Sequence, residues 1–238
     1  MMWRLKKLKI SLYFSTMKKI TSTLCLVMLI CVVMAKKNKN KFVELETNKG
    51  TFTLEVFNDV PKHAENFLKL ANEGFYDSLL FHRIIPGFMI QGGDPESKNA
   101  LEGQMLGNGD VGYKVPAEFM LPKYYHKKGA LAAAREGNNN PEKASSGCQF
   151  YIVVGKPFTD AELDQMEARM GQKYSEQARK EYKTIGGTPH LDAGYTVYGQ
   201  IVKGQDVVDA IAAMPRNASD RPAENVRILN VNVKKKNK

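Results

Sequence analysis

The feature that most constrains this chain is a two-residue alternation that starts and stops many times. FVELETNKGTFTLEVF (42–57) alternates on both sides of Asn48-Lys49-Gly50, and 81–85, 88–91, 129–134, 148–155, 195–202 and 225–233 are further short apolar or alternating runs. A period of two sends successive side chains to opposite faces of a sheet, and Gly, Pro and Asn between runs mark the turns. Many short strands leave edges to be hidden, which points to a sandwich or a closed barrel. Two stretches carry the helical period instead. In VPKHAENFLKLANEG (60–74), Ala64, Phe67, Leu68 and Ala71 share a face between Pro61 and Gly74, and QDVVDAIAAM (205–214) is a shorter helix. TDAELDQMEARMGQKYSEQARKEYKTIGG (159–187) is charged and helix-favouring, with Thr159 and Glu162 at capping-box spacing and Gly171 dividing it in two. It reads as a helical insertion, about 157–187, packed over a β domain. Residues 96–128, rich in Gly, Asn and Lys, read as a long surface loop with a short strand near Tyr113–Val115, and 135–147 as another loop.

A formal net charge of +10 raises nucleic acid as a partner, but the distribution argues against it. Residues 42–233 hold 21 Lys/Arg and all 25 Asp/Glu, so the excess positive charge belongs to residues 1–41 and to the tail 234–238. Met17-Lys18-Lys19, the uncharged stretch Ile20 to Ala35, and small residues Val33 and Ala35 before the lysines of 36–41 form a secretory-signal pattern. The apolar stretch is shorter than the roughly 20 residues a membrane span needs. The expected organisation is a signal peptide over 1–35 (with Met17 as an alternative start), a lysine-rich linker over 36–41, one domain over 42–233 and a basic tail over 234–238. The expected location is periplasmic or extracellular, with a membrane contact only through the leader if it is retained. A monomer is expected. Beyond the leader only Cys148 remains, so the domain is held by its core without an internal disulfide.

Several chemical motifs fail on context. Gly107-Asn108-Gly109-Asp110-Val111-Gly112 matches GxGxxG, but a loop precedes it and Tyr113-Lys114-Val115-Pro116 cannot open a helix. Cys148, His82 and Asp192 have no local signature of a nucleophile set, and Cys148 lies in an apolar strand pattern. His63, His82, His126 and His190 are scattered without a ligand pair, so neither metal nor cofactor is expected. Asn217-Ala218-Ser219 is a glycosylation sequon by pattern alone.

What remains is Arg83, a single cation inside the apolar run FHRIIPGFMIQGGDP (81–95). An unpaired buried charge is costly, so it has a structural partner or faces a cleft. Peptide-bond rotation is one chemistry that needs a fixed cation beside apolar groups and nothing else. No bond breaks, and X–Pro amides populate both isomers.

FHRIIPGFMIQGGD (81–94), VPKHAENF (60–67), SSGCQFYI (145–152) and HLDAGYTVYGQI (190–201) resemble, in order, the motifs of the cyclophilin family of peptidyl-prolyl cis-trans isomerases. The resemblance implies a closed, eight-stranded antiparallel barrel capped by two helices. It implies isomerase activity on proline-containing polypeptides, with Arg83 as the catalytic cation; joined to the leader pattern, the expected role is assisting the folding of exported proteins. Phe88, Met89, Tyr151 and Leu191 would line a proline pocket, Gln91 and Gln149 would position Arg83 and the substrate carbonyl, and His82 and Tyr195 would border it. Ala134 and Arg135 fall where the family's backbone pairs with the peptide. Tyr151 stands where Phe is usual, His190 where Trp is common in cyclosporin-sensitive members, Tyr195 for His and Arg135 for Asn. A proline-binding chaperone or scaffold with little turnover is the alternative reading.

Overall fold

The computed structural model describes residues 40–234. The expected signal peptide, its alternative start, most of the linker and all but Lys234 of the tail lie outside the described residues.

Strands β1 (Lys41–Thr47) and β2 (Gly50–Val56) form the expected hairpin, with Val43 opposite Leu54 and Leu45 opposite Phe52. Because the period is two, Val43, Leu45, Phe52, Leu54 and Val56 all fall on the buried face. Helix α1 (Pro61–Asn72) starts on its proline, where a missing N–H costs nothing, and buries Ala64, Phe67, Leu70 and Ala71. Next come β3 (Arg83–Ile85), β4 (Met89–Gly92), β5 (Lys114–Val115), β6 (Ala130–Ala133), β7 (Ser145–Ser146) and β8 (Phe150–Val153). Helices α2 (Asp160–Met170) and α3 (Glu176–Thr184) make the insertion. Strand β9 (Val197–Lys203), helix α4 (Gln205–Ala212) and β10 (Ile228–Lys234) complete the chain order.

The main sheet has the order β10-β1-β2-β9-β6-β8-β4-β3, antiparallel at every contact. This corrects the expectation of a closed barrel. The two end strands, β3 and β10, form no ladder with each other, so the sheet curls into an open half-barrel. The reason is that the free edge of β3 is taken by a loop: Ile84 N donates to Asp220 O at 2.9 Å. What reaches the end of β10 is the irregular segment before β3, through the isolated Leu80–Arg227 bridge and bonds such as Ser78 N to Ile228 O. A second small sheet pairs β5, the short strand expected near Tyr113–Val115, with β7, which lay in a segment read as a loop.

The core fills the concave side. Phe67, Tyr76 and Phe81 meet Phe150 edge-on at centroid distances of 5.5, 5.4 and 6.0 Å, an arrangement that adds to simple area burial. Strands β6 and β8 are buried at every position, which alternation alone does not explain. Their other face carries a separate apolar cluster of Met89, Ala130, Ala132, Tyr151, Val153 and Val197. The insertion has its own core, with Tyr125 of the preceding loop packed among Phe158, Leu163, Tyr174, Ala178 and Tyr182. Its first helix opens on the expected Thr159–Glu162 capping box and ends at Gly171, which takes the left-handed φ of 65°.

Candidate active site

Register alone brings the central residues together. Arg83 on β3 pairs with Gln91 on β4, Gln91 pairs with Tyr151 on β8, and Tyr151 with Ala132 on β6. Directly opposed residues share a face, so cation, amide and phenol form one row across three strands. That row lies on the convex side of the half-barrel, opposite the core residues Ile84, Ile90 and Phe150. A cleft of about 190 Å³ opens over it. Met89 and Tyr151 are its buried floor, Phe88 and Leu191 its apolar walls, and Arg83 with Gln91 its polar end. Ala134, Arg135 and Tyr195 close the other side.

Arg83 is held loosely. Its Nη1 donates to Gln91 Oε1 at 3.4 Å, Nε lies 3.6 Å from Asp220 Oδ2, and the side chain is 42% exposed. Asp220 takes a shorter contact, 3.0 Å, from Arg216 Nε. The guanidinium therefore keeps donors for the cleft. Behind it runs a head-to-tail amide chain. Gln91 Nε2 donates to Gln149 Oε1 at 3.0 Å, and Gln149 Nε2 donates to the carbonyls of Gly107 and Gly109 at 2.9 and 2.8 Å. Carbonyls only accept, so they fix which way the Gln149 amide faces. That in turn fixes Gln91 with its oxygen toward Arg83. The glycine-rich run that failed as a nucleotide motif thus anchors the site. At Gly109 a Cβ would sit 2.0 Å from Asp94 Oδ1, so only glycine lets the loop come this close.

Of the remaining expected site residues, His82 does not line this cleft. It is buried behind Arg83 beside a second hollow with neither ring nitrogen hydrogen-bonded, and burial pushes its pKa down to about 4. Gln149 lies one layer back, as described. Ala134 has both backbone groups engaged inside the protein, N to Gln149 O and O from Ser146 N. Arg135 carries no backbone hydrogen bond among the described residues. Its side chain donates to Gly194 O at 2.7 Å and stacks over Tyr195 at 4.5 Å, forming a cationic rim. His190 stacks on Phe88 with ring centroids 5.7 Å apart.

Two sets of residues were not anticipated. His63 Nε2 lies 3.0 Å from Ser145 Oγ and His63 Nδ1 2.7 Å from Glu118 Oε2, the spacing of a serine hydrolase. Ser145 is 0% exposed, so no substrate reaches its hydroxyl, and the set instead ties α1 to β7 and the loop before β6. The other is Tyr151 Oη with His126 Nε2, at 2.9 Å, below the cleft floor. Cys148 is buried and its thiol is pushed up to about 11 by burial, as suits a core residue.

The sequence profile of the family described as cyclophilin type peptidyl-prolyl cis-trans isomerase/CLD matches residues 42–233. A Staphylococcus haemolyticus protein named for peptidyl-prolyl cis-trans isomerase activity is 36% identical over 195 residues, covering 82% of this chain and 91% of that protein. A Streptococcus pyogenes protein named as a bifunctional phosphatase/peptidyl-prolyl cis-trans isomerase is 40% identical over 196 residues. That match covers 80% of this chain but 38% of the longer protein. The crystal structure of a Cryptosporidium parvum cyclophilin type peptidyl-prolyl cis-trans isomerase has the same fold, with a TM-score of 0.60 and 24% identity, covering 83% of this chain and 99% of that one. A second structure of it, in the presence of the dipeptide Ala-Pro, gives 0.57 at 23% identity, covering 82% and 99%.

Proposed function

Because the chain belongs to the cyclophilin-type peptidyl-prolyl cis-trans isomerases, we propose that the cleft beside Arg83 is where it grips proline and turns the X–Pro amide. Resonance between the nitrogen lone pair and the carbonyl sets a barrier of about 18–20 kcal/mol. Twisting frees that lone pair, and a guanidinium aimed at it donates a hydrogen bond that the planar amide cannot accept. A bond made only in the twisted state raises turnover and not merely affinity. Arginine suits the task because it stays protonated and presents a rigid fork of donors.

The proline ring sits on Met89 and Tyr151 between Phe88 and Leu191. Gln91 and Gln149 hold the cation, the unpaired backbone of Arg135 aligns the extended peptide, and Ala134 and Tyr195 bound its path. His82 supports Arg83 from behind. Ala-Pro, the dipeptide in whose presence one structural neighbour was solved, is the smallest ligand of the kind this cleft takes. The leader pattern over 1–35 supports action on exported polypeptides in a periplasmic or extracellular space.

The observation that carries this reading is the row Arg83–Gln91–Tyr151 facing one cleft of about 190 Å³ with an apolar floor and walls and a cationic end. A protease-coupled isomerisation assay on an X–Pro peptide tests it. Arg83→Ala is expected to lower kcat/KM by about 100-fold, the scale for removing one preorganised donor at a site of developing charge. Equal rates for wild type and variant remove Arg83 from the mechanism. Peptide binding by a wild type that gives no acceleration would leave a proline-binding scaffold.

A further inference from the structure

The insertion and the cleft meet through four buried side chains. Tyr182 on α3 donates its hydroxyl to Asp192 Oδ2 at 2.6 Å. His126 approaches Asp192 Oδ1 with its backbone N at 2.9 Å and its ring Nδ1 at 2.7 Å. The far ring nitrogen of His126 lies 2.9 Å from the hydroxyl of Tyr151, the cleft floor. Tyr182, His126, Asp192 and Tyr151 are each at most 4% exposed. A carboxylate accepts only, so Nδ1 donates to Asp192 and the other nitrogen is left to Tyr151.

We propose that this relay makes helix α3 part of the peptide-binding apparatus, with Tyr182, Asp192 and His126 as positioning residues for the cleft. Two walls depend on it. Tyr151 is held from below through its hydroxyl. The segment 188–195 is held through Asp192, which lies next to Leu191 and three residues before Tyr195, both at the cleft. Tyr195 packs edge-on against Tyr151 at 5.9 Å, so the two walls also touch each other. The exit from the insertion is seated tightly: Thr188 N donates to His126 O at 2.8 Å, and a Cβ at Gly187 would meet that carbonyl at 2.3 Å and the Tyr182 ring at 2.6 Å. A buried carboxylate demands donors, but it does not demand that their chain end beneath a substrate pocket. Here it ends at the hydroxyl that distinguishes Tyr151 from the phenylalanine usual in this family.

A double-substitution cycle on the full chain tests the relay, with KM and kcat for an X–Pro peptide as the readout. Tyr182→Phe keeps the ring and its packing. It is expected to raise KM about 3- to 10-fold while kcat falls by less, since Arg83 and Gln91 are untouched. In a Tyr151→Phe background, where only the arm through Asp192 and segment 188–195 still reaches the cleft, the KM factor of Tyr182→Phe is expected to shrink. A purely structural Tyr182 predicts the same KM factor in both backgrounds, and that result, or no change in either, overturns the proposal. If a variant does not fold, the wild type still decides. Saturation with the peptide is expected to shift the ring 15N resonances of His126, and unmoved resonances overturn the relay. The inference rests on the cleft being the proline site. Loss of Arg83 dependence would strike that reading and the relay together, whereas additive KM effects with Arg83 dependence intact would strike the relay alone.

Discussion

Gln91→Ala probes how the cation is held rather than whether it is needed. The contact from Arg83 Nη1 to Gln91 Oε1 is 3.4 Å, beyond the usual 2.7–3.2 Å for a hydrogen bond. A bond with one charged partner is worth about 1.5–3 kcal/mol, and a long one at a half-exposed site belongs at the bottom of that range. The expected loss is about tenfold in kcat/KM, since 1.4 kcal/mol corresponds to a factor of about ten. It is expected in kcat, because the proposed proline floor and walls, Met89, Tyr151, Phe88 and Leu191, are left in place. Gln149 loses its donor but keeps its two carbonyl partners, so the glycine loop stays in place. The assay is protease-coupled isomerisation of one X–Pro peptide at several concentrations, run for Gln91→Ala, Arg83→Ala and the double variant. If Gln91 works through Arg83, the double variant matches Arg83→Ala. A further tenfold loss in the Arg83→Ala background would refute the positioning argument.

His82 predicts the pH dependence of stability. Burial holds its folded-state pKa at about 4 against an ordinary 6.5. Between those values the unfolded chain binds a proton that the folded chain refuses, so its contribution is complete above about pH 6.5 and is lost as pH falls toward 4. At about 1.4 kcal/mol per pH unit the loss reaches about 3 kcal/mol, and urea unfolding at pH 7 and pH 4.5 measures it. His82→Asn is expected to flatten that slope; an unchanged slope would assign it to other groups. For the leader, mass spectrometry of the chain from its native host is expected to find Lys36 at the N-terminus. An N-terminus at Met1 or Met17 would contradict cleavage.

Legibility in the sequence followed the range of the interaction. The capping box at Thr159, the stop at Gly171, the proline start of α1 and the β1–β2 hairpin depend on neighbours a few residues away, and all were readable as patterns. Strand β7 was missed because two residues show no alternation, and it exists only by pairing with β5 some thirty residues earlier. The open seam was missed for a similar reason. Whether β3 meets β10 depends on which segment captures Ile84 N, and Asp220, well over a hundred residues away, carries no mark of doing so. Asp220 beside Arg83 was equally invisible, as was the His126–Asp192 pair, 66 residues apart in the chain.

The position of the cleft accounts for a burial pattern that alternation alone does not explain. A barrel whose inner face is core and whose outer face is wet alternates strictly, yet β6 and β8 are buried at every position. Continuous apolar strands signal two covered faces. Leu131, Ala133, Phe150 and Ile152 serve the core, while Ala130, Ala132, Tyr151 and Val153 serve the second face. An outer-face cleft has no opposing sheet to shape it, so loops must supply its walls, and loops are the mobile part of a fold. Stiffness has to come from somewhere. On the Arg83 side it comes from the amide chain ending on glycine carbonyls. On the Leu191 side it comes from a buried carboxylate that an inserted helix helps to satisfy. On this view the insertion is placed where the sheet provides least support for the site.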